Sequence, residues 1–330
     1  MDNKITKKRI SALLAYSWIT IIIVAVAAIL AWEFIYMLGS VKLSREEKFY
    51  YYYDLNISSE NMAAFQQQLE EGKNGVQIFS YAIQDIEPTA LLSNYNQFHN
   101  LVLGIDGDVV ISSKQIDAKQ EGYKSTQVNA IIDAYNIYDF DTLVSDAKAY
   151  LSNYLAQSGD PLEFSNLDKD KIEQTFLARV KKDNRFRTKA QKSEGVLLEL
   201  ARIEDLCNAT KRLSLLLDYD NSCSSDDKIF YSYRCYEQSY NLASEEEKVE
   251  LEEIYNNSKT LRYGLNMGKL INGDLKTSDY FKILGSEDAG AKDVVIIGFN
   301  FYNKQPNYQF ELITFYDYII STFGNISFYA

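Results

Sequence analysis

One segment near the N-terminus limits what this chain can fold into more than any other. Residues 12–32, ALLAYSWITIIIVAVAAILAW, contain 21 positions without a charged side chain. A helix of about 20 apolar residues can cross the roughly 30 Å hydrocarbon core of a bilayer. Trp18 and Trp32 lie near its two ends, and four basic residues precede it, which indicates a cytoplasmic N-terminus. The segment predicts a transmembrane helix over 11–38, after a cytoplasmic stretch at 1–10.

A cleaved signal peptide is the alternative interpretation of the same segment. The apolar core of a signal peptide runs about 7–15 residues and ends before a small-residue cleavage site. The Ala-x-Ala at 25–27 lies inside the apolar run instead. We therefore expect an uncleaved, single-pass anchor in the plasma membrane, with the C-terminal domain extracytoplasmic.

The chain after residue 40 is strongly acidic. It holds 30 basic and 44 acidic side chains, which gives a net formal charge of −14. A surface of that sign repels nucleic acid and anionic lipid. The charge therefore argues against nucleic acid as a partner.

Strand-like and helical patterns alternate after a linker at 39–47. Three runs rich in β-branched and aromatic residues predict strands at 49–55, 76–83 and 107–113. The helix between the first two has an apolar face made of Met62, Phe65 and Leu69. Because strands separated by helices are joined by right-handed crossovers, the pattern predicts an α/β fold with a mostly parallel sheet.

The same pattern returns near the end of the chain. A strand is predicted at 293–302, and a helix follows it with an apolar stripe of Leu312, Tyr316, Ile319 and Phe323. The organisation that results is a first α/β lobe at 48–123, a helical region at 124–260 and a C-terminal α/β segment at 261–330.

The helical region contains two helix starts with capping-box spacing. Thr188 precedes Gln191 by three residues, and Ser244 precedes Glu247 by three. The helix that begins at Thr188 follows another apolar stripe, at 172–180. Two striped helices with a short connection predict an antiparallel hairpin over about 168–218, inserted into the α/β body.

Catalytic and metal-binding patterns are weak. His99 is the only histidine, and no nucleophile elbow, P-loop or dinucleotide-binding motif occurs. The stretch at 218–227, DYDNSCSSDD, begins like a calcium loop, but Cys223 replaces the required glycine and Ile229 the bidentate glutamate. The sequence therefore predicts a protein that is not an enzyme and has no cofactor or metal.

The three cysteines, Cys207, Cys223 and Cys235, fit neither a disulfide framework nor a zinc site. Two alternatives remain open. One is a bridge between Cys223 and Cys235, and the other is three unpaired thiols that behave as small apolar side chains.

Polar residues lie at or just after the carboxyl ends of three of the predicted strands. Ligands of open α/β sheets bind outside the carboxyl ends of the strands. The candidate ligand-binding residues are therefore Asp54, Asn56, Ser112, Ser113, Lys114, Asn300, Tyr302 and Asn303.

The segment at 181–192, KKDNRFRTKAQK, has six basic residues and one acidic residue in an otherwise acidic domain. Such a segment could bind an anionic polymer, lipid headgroups or an acidic protein. Its candidate partner-binding residues are Arg185, Arg187 and Lys189. The alternative is an exposed basic loop that pairs with neighbouring acids.

The order of these parts resembles a known family. The stretches that carry the resemblance are KFYYYYDLN, GVQIFSYAI, GDVVISSKQI, YGLNM and the late DVVIIGFNFYNKQPNYQFELITFYDYII. In their order they resemble the extracytoplasmic solute-binding proteins of bacterial ABC transporters, which have a two-lobed, periplasmic-binding-like fold. The resemblance implies a mostly parallel, periplasmic-binding-like sheet body, and the residue patterns above add to it an inserted helical hairpin and one preceding transmembrane helix.

The same resemblance implies a function and partners. It predicts a membrane-anchored receptor that captures a small polar solute between two lobes for a transporter permease. The alternative is a non-catalytic structural or sensory subunit of a cell-surface membrane complex, which uses the same fold as a protein-interaction scaffold. Its partner would then be another membrane protein.

Overall fold

The chain divides into an N-terminal unit, Met1–Lys42, and a main unit, Leu43–Ala330. The computed structural model describes residues 7–39, 48–53, 58–71, 80–85, 108–114, 128–270, 280–281, 293–300 and 306–324. The N-terminal unit contains one helix, α1, Lys7–Gly39. It lies where the apolar run predicts a helix, and the side chains of Trp18 and Trp32 are exposed.

The predicted membrane span over 11–38 is wrong, and so is the predicted location as a single-pass protein of the plasma membrane. In the part of the chain that the structure describes, no helix is both long and apolar enough to cross a membrane.

The main unit is built on one sheet of six described strands, in the order β2-β1-β3-β6-β5-β4. The strands are β1 Lys48–Tyr53, β2 Ser80–Asp85, β3 Val109–Ser113, β4 Phe230–Arg234, β5 Thr260–Asn266 and β6 Val294–Gly298. Strand β1 runs parallel to both β2 and β3. The remaining pairs, β3 with β6, β6 with β5, and β5 with β4, are antiparallel.

The predicted fold class is therefore wrong: the sheet is mixed, so it is not the mostly parallel, periplasmic-binding-like body. The departure begins at β6, which pairs Val294 with Ser113 and Gly298 with Val109, and so runs against β3. It continues through β4, which lies inside the region at 124–260 that was predicted to be helical. The parallel crossover rule holds only for the half of the sheet formed by β1, β2 and β3.

The described helices of the main unit are α2 Ser59–Glu71, α3 Val128–Ala134, α4 Phe140–Ser152, α5 Lys169–Arg179, α6 Lys189–Ser222, α7 Glu237–Leu242, α8 Glu245–Asn257, α9 Pro306–Gln309 and α10 Glu311–Phe323. Both predicted capping boxes are formed, at the start of α6 and of α8. In each, the N-cap hydroxyl accepts from a backbone N–H of the first turn, which otherwise lacks a partner in the helix.

Apolar side chains cover both faces of the sheet. Successive residues of a strand point to opposite faces, so Tyr51 joins the larger core and Tyr52 the smaller one. The larger core receives buried residues from α2, α4, α6 and α10, and Phe65 of α2 meets the Tyr51 ring edge-on at 5.6 Å. The smaller core is closed by Ile131 and Ile132 of α3. The main unit is thus a helix–sheet–helix arrangement of three layers.

Helix α6 is a core helix, which corrects the prediction of an inserted hairpin. It contacts α5 through Val196, which packs with Phe176 and Val180. Beyond that contact, Leu206 and Leu213 of α6 are fully buried in the larger core. Helix α6 therefore packs both against α5 and into the core that covers the sheet.

Gly264 allows β5 and β6 to approach closely. A Cβ atom there would overlap Cγ1 of Val295 and lie 2.9 Å from Cγ2 of Ile297. Overpacking of this kind costs typically 1–3 kcal/mol, so we expect Gly264→Ala to lower the free energy of unfolding by about that amount in urea denaturation. Gly159→Ala is the matched control, because its nearest neighbour is the end of the Asn166 side chain in an exposed turn. Equal losses in the two variants would contradict the packing argument.

Candidate ligand-binding cleft

A cleft of about 580 Å³ lies along β4 and β5. Its lining includes the basic side chains Lys114, Lys228 and Arg262 and one acidic side chain, Asp141. The whole chain has a formal charge of −12. The cleft therefore concentrates positive charge in an acidic protein.

Arg262 is held rigidly in the wall of the cleft. Its Nε donates to Oδ2 of Asp141 at 2.9 Å, and Nη2 contacts the second oxygen of the same carboxylate. Its Nη1 donates to the carbonyl of Leu217 at 2.8 Å and to Oδ1 of Asn221 at 3.2 Å. Arg262 thereby ties β5 to the start of α4 and the last turns of α6.

Asp220 fixes the start of β4 next to this arginine. Its Oδ1 accepts from the backbone N–H groups of Ile229, at 2.7 Å, and Phe230, at 3.3 Å. Its Oδ2 is buried, lies 4.0 Å from Nη1 of Arg262, and makes no hydrogen bond within the described residues. The residue that resembled a calcium ligand is thus a backbone anchor.

Asn266 ends β5 and lines the cleft. Its backbone N–H donates to the carbonyl of Ile229 at 2.9 Å. The residue is 7% exposed and lines the cleft, and Oδ1 has no hydrogen-bond partner among the described residues. A buried acceptor without a donor costs about 1–3 kcal/mol. Such an atom needs an explanation in a native protein, and a bound donor provides one.

Lys114 follows β3, and its backbone N–H donates to the carbonyl of Asp293 at 2.8 Å. Its ammonium lies 5.7 Å from the ring centroid of Tyr231, within range of a cation–π contact. Burial lowers the pKa of Lys114, the Asp293 carboxylate opposes that shift, and the Lys269 charge adds to it. Tyr231 is itself fixed, because its hydroxyl donates to Oδ1 of Asn129 at 2.5 Å.

The candidate ligand-binding residues divide into three groups. Lys114 lines the cleft. Ser112 and Ser113 are buried within β3, and Asn300 is paired with Asn136 through its backbone N–H, at 2.8 Å, and its carbonyl, at 2.7 Å. The others lie outside the described residues: Asp54, Asn56, Tyr302 and Asn303. A role for any of them in binding stays a prediction.

Sequence reasoning did not identify three other cleft residues, Lys228, Arg262 and Asn266, as candidates. Asn266 lies in the YGLNM stretch that carries the resemblance, but that stretch contains no binding motif. Strand-end position could have identified Asn266, because it closes β5, but β5 has no clear alternation of apolar and polar residues. The fold alone brings these three side chains together with Lys114.

Part of the positive charge of the basic segment at 181–192 is paired within the segment itself. Arg185 donates through Nε to Oδ2 of Asp183 at 2.9 Å, and Oδ1 of Asp183 accepts from the Arg185 backbone N–H at 2.9 Å. These hydrogen bonds lower the pKa of Asp183. Arg187 donates to Oδ1 of Asn184 at 3.0 Å, and Lys189 is exposed at the start of α6. Partner binding by Arg185, Arg187 and Lys189 stays a prediction.

The cysteine alternatives are resolved in favour of unpaired thiols. Cys207 is buried, and Cys223 and Cys235 are partly exposed, with no disulfide between them. The Sγ of Cys235 lies 3.1 Å from the hydroxyl of Tyr263. Burial raises the pKa of Cys207 to about 12, so its thiol stays protonated at neutral pH.

No family model matches the chain, and no curated protein or solved structure matches it either. The functional argument therefore depends on the chemistry of the cleft. The arrangement places three cationic side chains in the lining, of which Arg262 is held by its hydrogen bonds, together with Asn266 and its buried acceptor. Those groups can bind and orient a polar molecule.

Proposed function

We propose that the main unit is a non-catalytic binding protein that holds a small polar solute in the cleft along β4 and β5. The observation that carries the proposal is Asn266, which lines the cleft and whose buried Oδ1 lacks a donor in the described part of the chain. Sites for small molecules typically have volumes of roughly 300–1,000 Å³ and a few convergent polar groups. The cleft meets both conditions.

Binding has more support than catalysis at this place. General acid–base chemistry needs a side chain that can take up or release a proton next to the substrate. The one carboxylate in the described lining, Asp141, is bound by two nitrogens of Arg262. Its oxygens are therefore committed to holding the wall of the cleft, which favours a receptor over an enzyme.

The alternative, a protein-interaction scaffold that uses the basic segment, has less support. Arg185 is bonded to Asp183 within the same turn, so its charge is largely neutralised before any partner arrives. A permease or another membrane protein as partner stays a prediction. Charge reversal at Arg187 and Lys189 tests the scaffold without disturbing the Asp183 turn, and unchanged copurification of a fixed partner would count against it.

The proposal is tested by a thermal-shift screen of sugars, amino acids and short peptides on the full chain. Because a ligand that binds only the folded state stabilises it by mass action, a true solute should raise Tm in a dose-dependent way. Asn266→Ala should remove most of that ligand-induced rise. Asn208→Ala, at an exposed position of α6, is the matched control and should keep it. Silence across the library would overturn the proposal.

A further inference from the structure

We infer that the solute bound by this cleft carries an anionic group together with an N–H or O–H donor. The inference rests on the proposed function and adds the ligand class to it. The anionic group would lie among Lys114, Lys228 and Arg262, and the donor would reach Oδ1 of Asn266. A phosphate and a carboxylate share this chemistry when a hydroxyl or amino group lies nearby.

The charge of the lining carries the first half of the inference. Three basic side chains face one acidic side chain, Asp141, which Arg262 engages through two nitrogens. Two further carboxylates offset part of the positive charge: Asp220, 4.0 Å from Arg262, and Asp293, whose charge acts on Lys114. Lys269 adds a further positive charge near Lys114.

Lys228 is the residue that leaves the lining positive. It is partly buried, lies two residues before β4 and makes no ion pair within the described part of the chain. A charged amine that is partly withdrawn from water gains from an opposite charge more than an exposed one does, because the surroundings screen it less. An anion in the cleft supplies that charge.

The second half of the inference, that the ligand has an N–H or O–H donor, rests on the unpaired Oδ1 of Asn266. An anion without a hydrogen, such as sulfate, would bring only oxygen lone pairs toward Oδ1 of Asn266. Monohydrogen phosphate has nearly the same size and charge but carries one O–H group. A hydroxy acid or an amino acid also offers both an anion and a donor. The buried oxygen therefore favours ligands that combine the two groups.

Recognition of an anionic group and recognition of a hydrogen-bond donor can be tested with ligands that differ in only one of the two groups. Compounds with a phosphate or carboxylate and a nearby donor should bind, whereas their uncharged parents should bind at least about tenfold more weakly, since close charge pairs are worth a few kcal/mol. Affinity should also fall as ionic strength rises. Sulfate should compete less well than inorganic phosphate, because it offers no donor to Asn266.

The experiment is isothermal titration of the full chain with glucose 6-phosphate, gluconate, glucose, inorganic phosphate and sulfate, together with every hit of the thermal-shift screen. The phosphate and carboxylate arms separate the two sources of the anion. Lys228→Gln should weaken an anionic hit by about tenfold or more and flatten its salt dependence. Lys182→Gln, at an exposed position outside the cleft, is the matched control.

The outcomes separate this inference from the proposed function. Anionic hits that Lys228→Gln and Asn266→Ala both weaken support the two together. Hits that are all uncharged, or anionic hits that Lys228→Gln leaves unchanged, overturn the ligand class while the binding function stands. An absence of any hit overturns the function itself, and the inference with it. Circular dichroism of each variant checks that the fold is retained, and a misfolded Asn266→Ala is replaced by Asn266→Ser.

Discussion

Replacing Arg202 with methionine is expected to lower the free energy of unfolding by about 3–5 kcal/mol. Arg202 lies in the middle of α6, and its side chain is only 2% exposed. Its Nη2 donates to Oε1 of Glu199 at 2.8 Å, and its Nη1 donates to Oε1 of Glu311 at 3.1 Å. These bonds join α6 to α10 inside the larger core.

The loss in free energy of unfolding is large because the substitution leaves a buried carboxylate without its cation. Glu199 keeps a second cation, Arg179, which bonds both of its oxygens. Glu311 has a different environment, because its other described side-chain partner is the hydroxyl of Thr314 at 3.0 Å. Without Arg202 its carboxylate would be buried without a compensating charge, which a low-dielectric interior penalises heavily.

Urea unfolding at neutral pH, followed by circular dichroism, measures the loss. Lys211→Met is the matched control, because Lys211 lies on the same helix and pairs with Glu163 while both side chains are 48% exposed. Exposed pairs contribute little, so the control should barely move the midpoint. Adding Glu311→Leu to Arg202→Met should recover part of the loss. A control variant as damaged as Arg202→Met would disprove the buried-charge argument.

The sequence predicted the local parts of this fold well. Met62, Phe65 and Leu69 form the buried face of α2, as their spacing indicates. The capping boxes at Thr188 and Ser244 start α6 and α8. These features depend on residues three or four positions apart, and the helix itself fixes that geometry.

The direction of the strands could not be predicted in the same way. Strand β6 pairs with β3, from which it is separated by most of the main unit. Whether two such strands run parallel depends on the path of the chain between them, and no short pattern records that path. A strand was predicted where β6 lies, but its antiparallel direction was missed for this reason, and the prediction of a mostly parallel body failed with it.

Only some of the cleft residues could be predicted from the sequence. Lys114 was found because it directly follows a strand, and that position is a general property of ligand sites on sheets. Arg262 could not be found, since its role comes from Asp141 and Asn221, which the fold brings to it from α4 and α6. The acidic loop after Asp218 suggested metal chemistry, but Asp220 instead fixes the backbone of β4.

Glu199→Gln is expected to change how stability depends on pH. Burial alone would raise the pKa of Glu199, but the guanidinium groups of Arg202 and Arg179 outweigh it and hold the pKa at about 2. The unfolded value is near 4.5. Because the folded pKa is depressed, ionised Glu199 contributes stability above pH 4.5, and that contribution is lost as pH falls toward 2. A shift of this size corresponds to about 3 kcal/mol.

Glu311→Gln is the matched comparison, because the same chemical change in the same network should act with the opposite sign. Burial raises the pKa of Glu311 despite the opposing effect of Arg202. Its protonation therefore favours the folded state as pH falls. The free energy of unfolding, measured in urea from pH 7 downward, should converge between wild type and Glu199→Gln below pH 4.5. As pH falls toward 4.5, the free energy of unfolding of wild type should rise relative to that of Glu311→Gln. In each comparison the quantity of interest is the difference in free energy of unfolding between wild type and variant. If the two differences changed with pH in the same direction, the conclusion that Glu199 and Glu311 lie in different environments around Arg202 would be wrong.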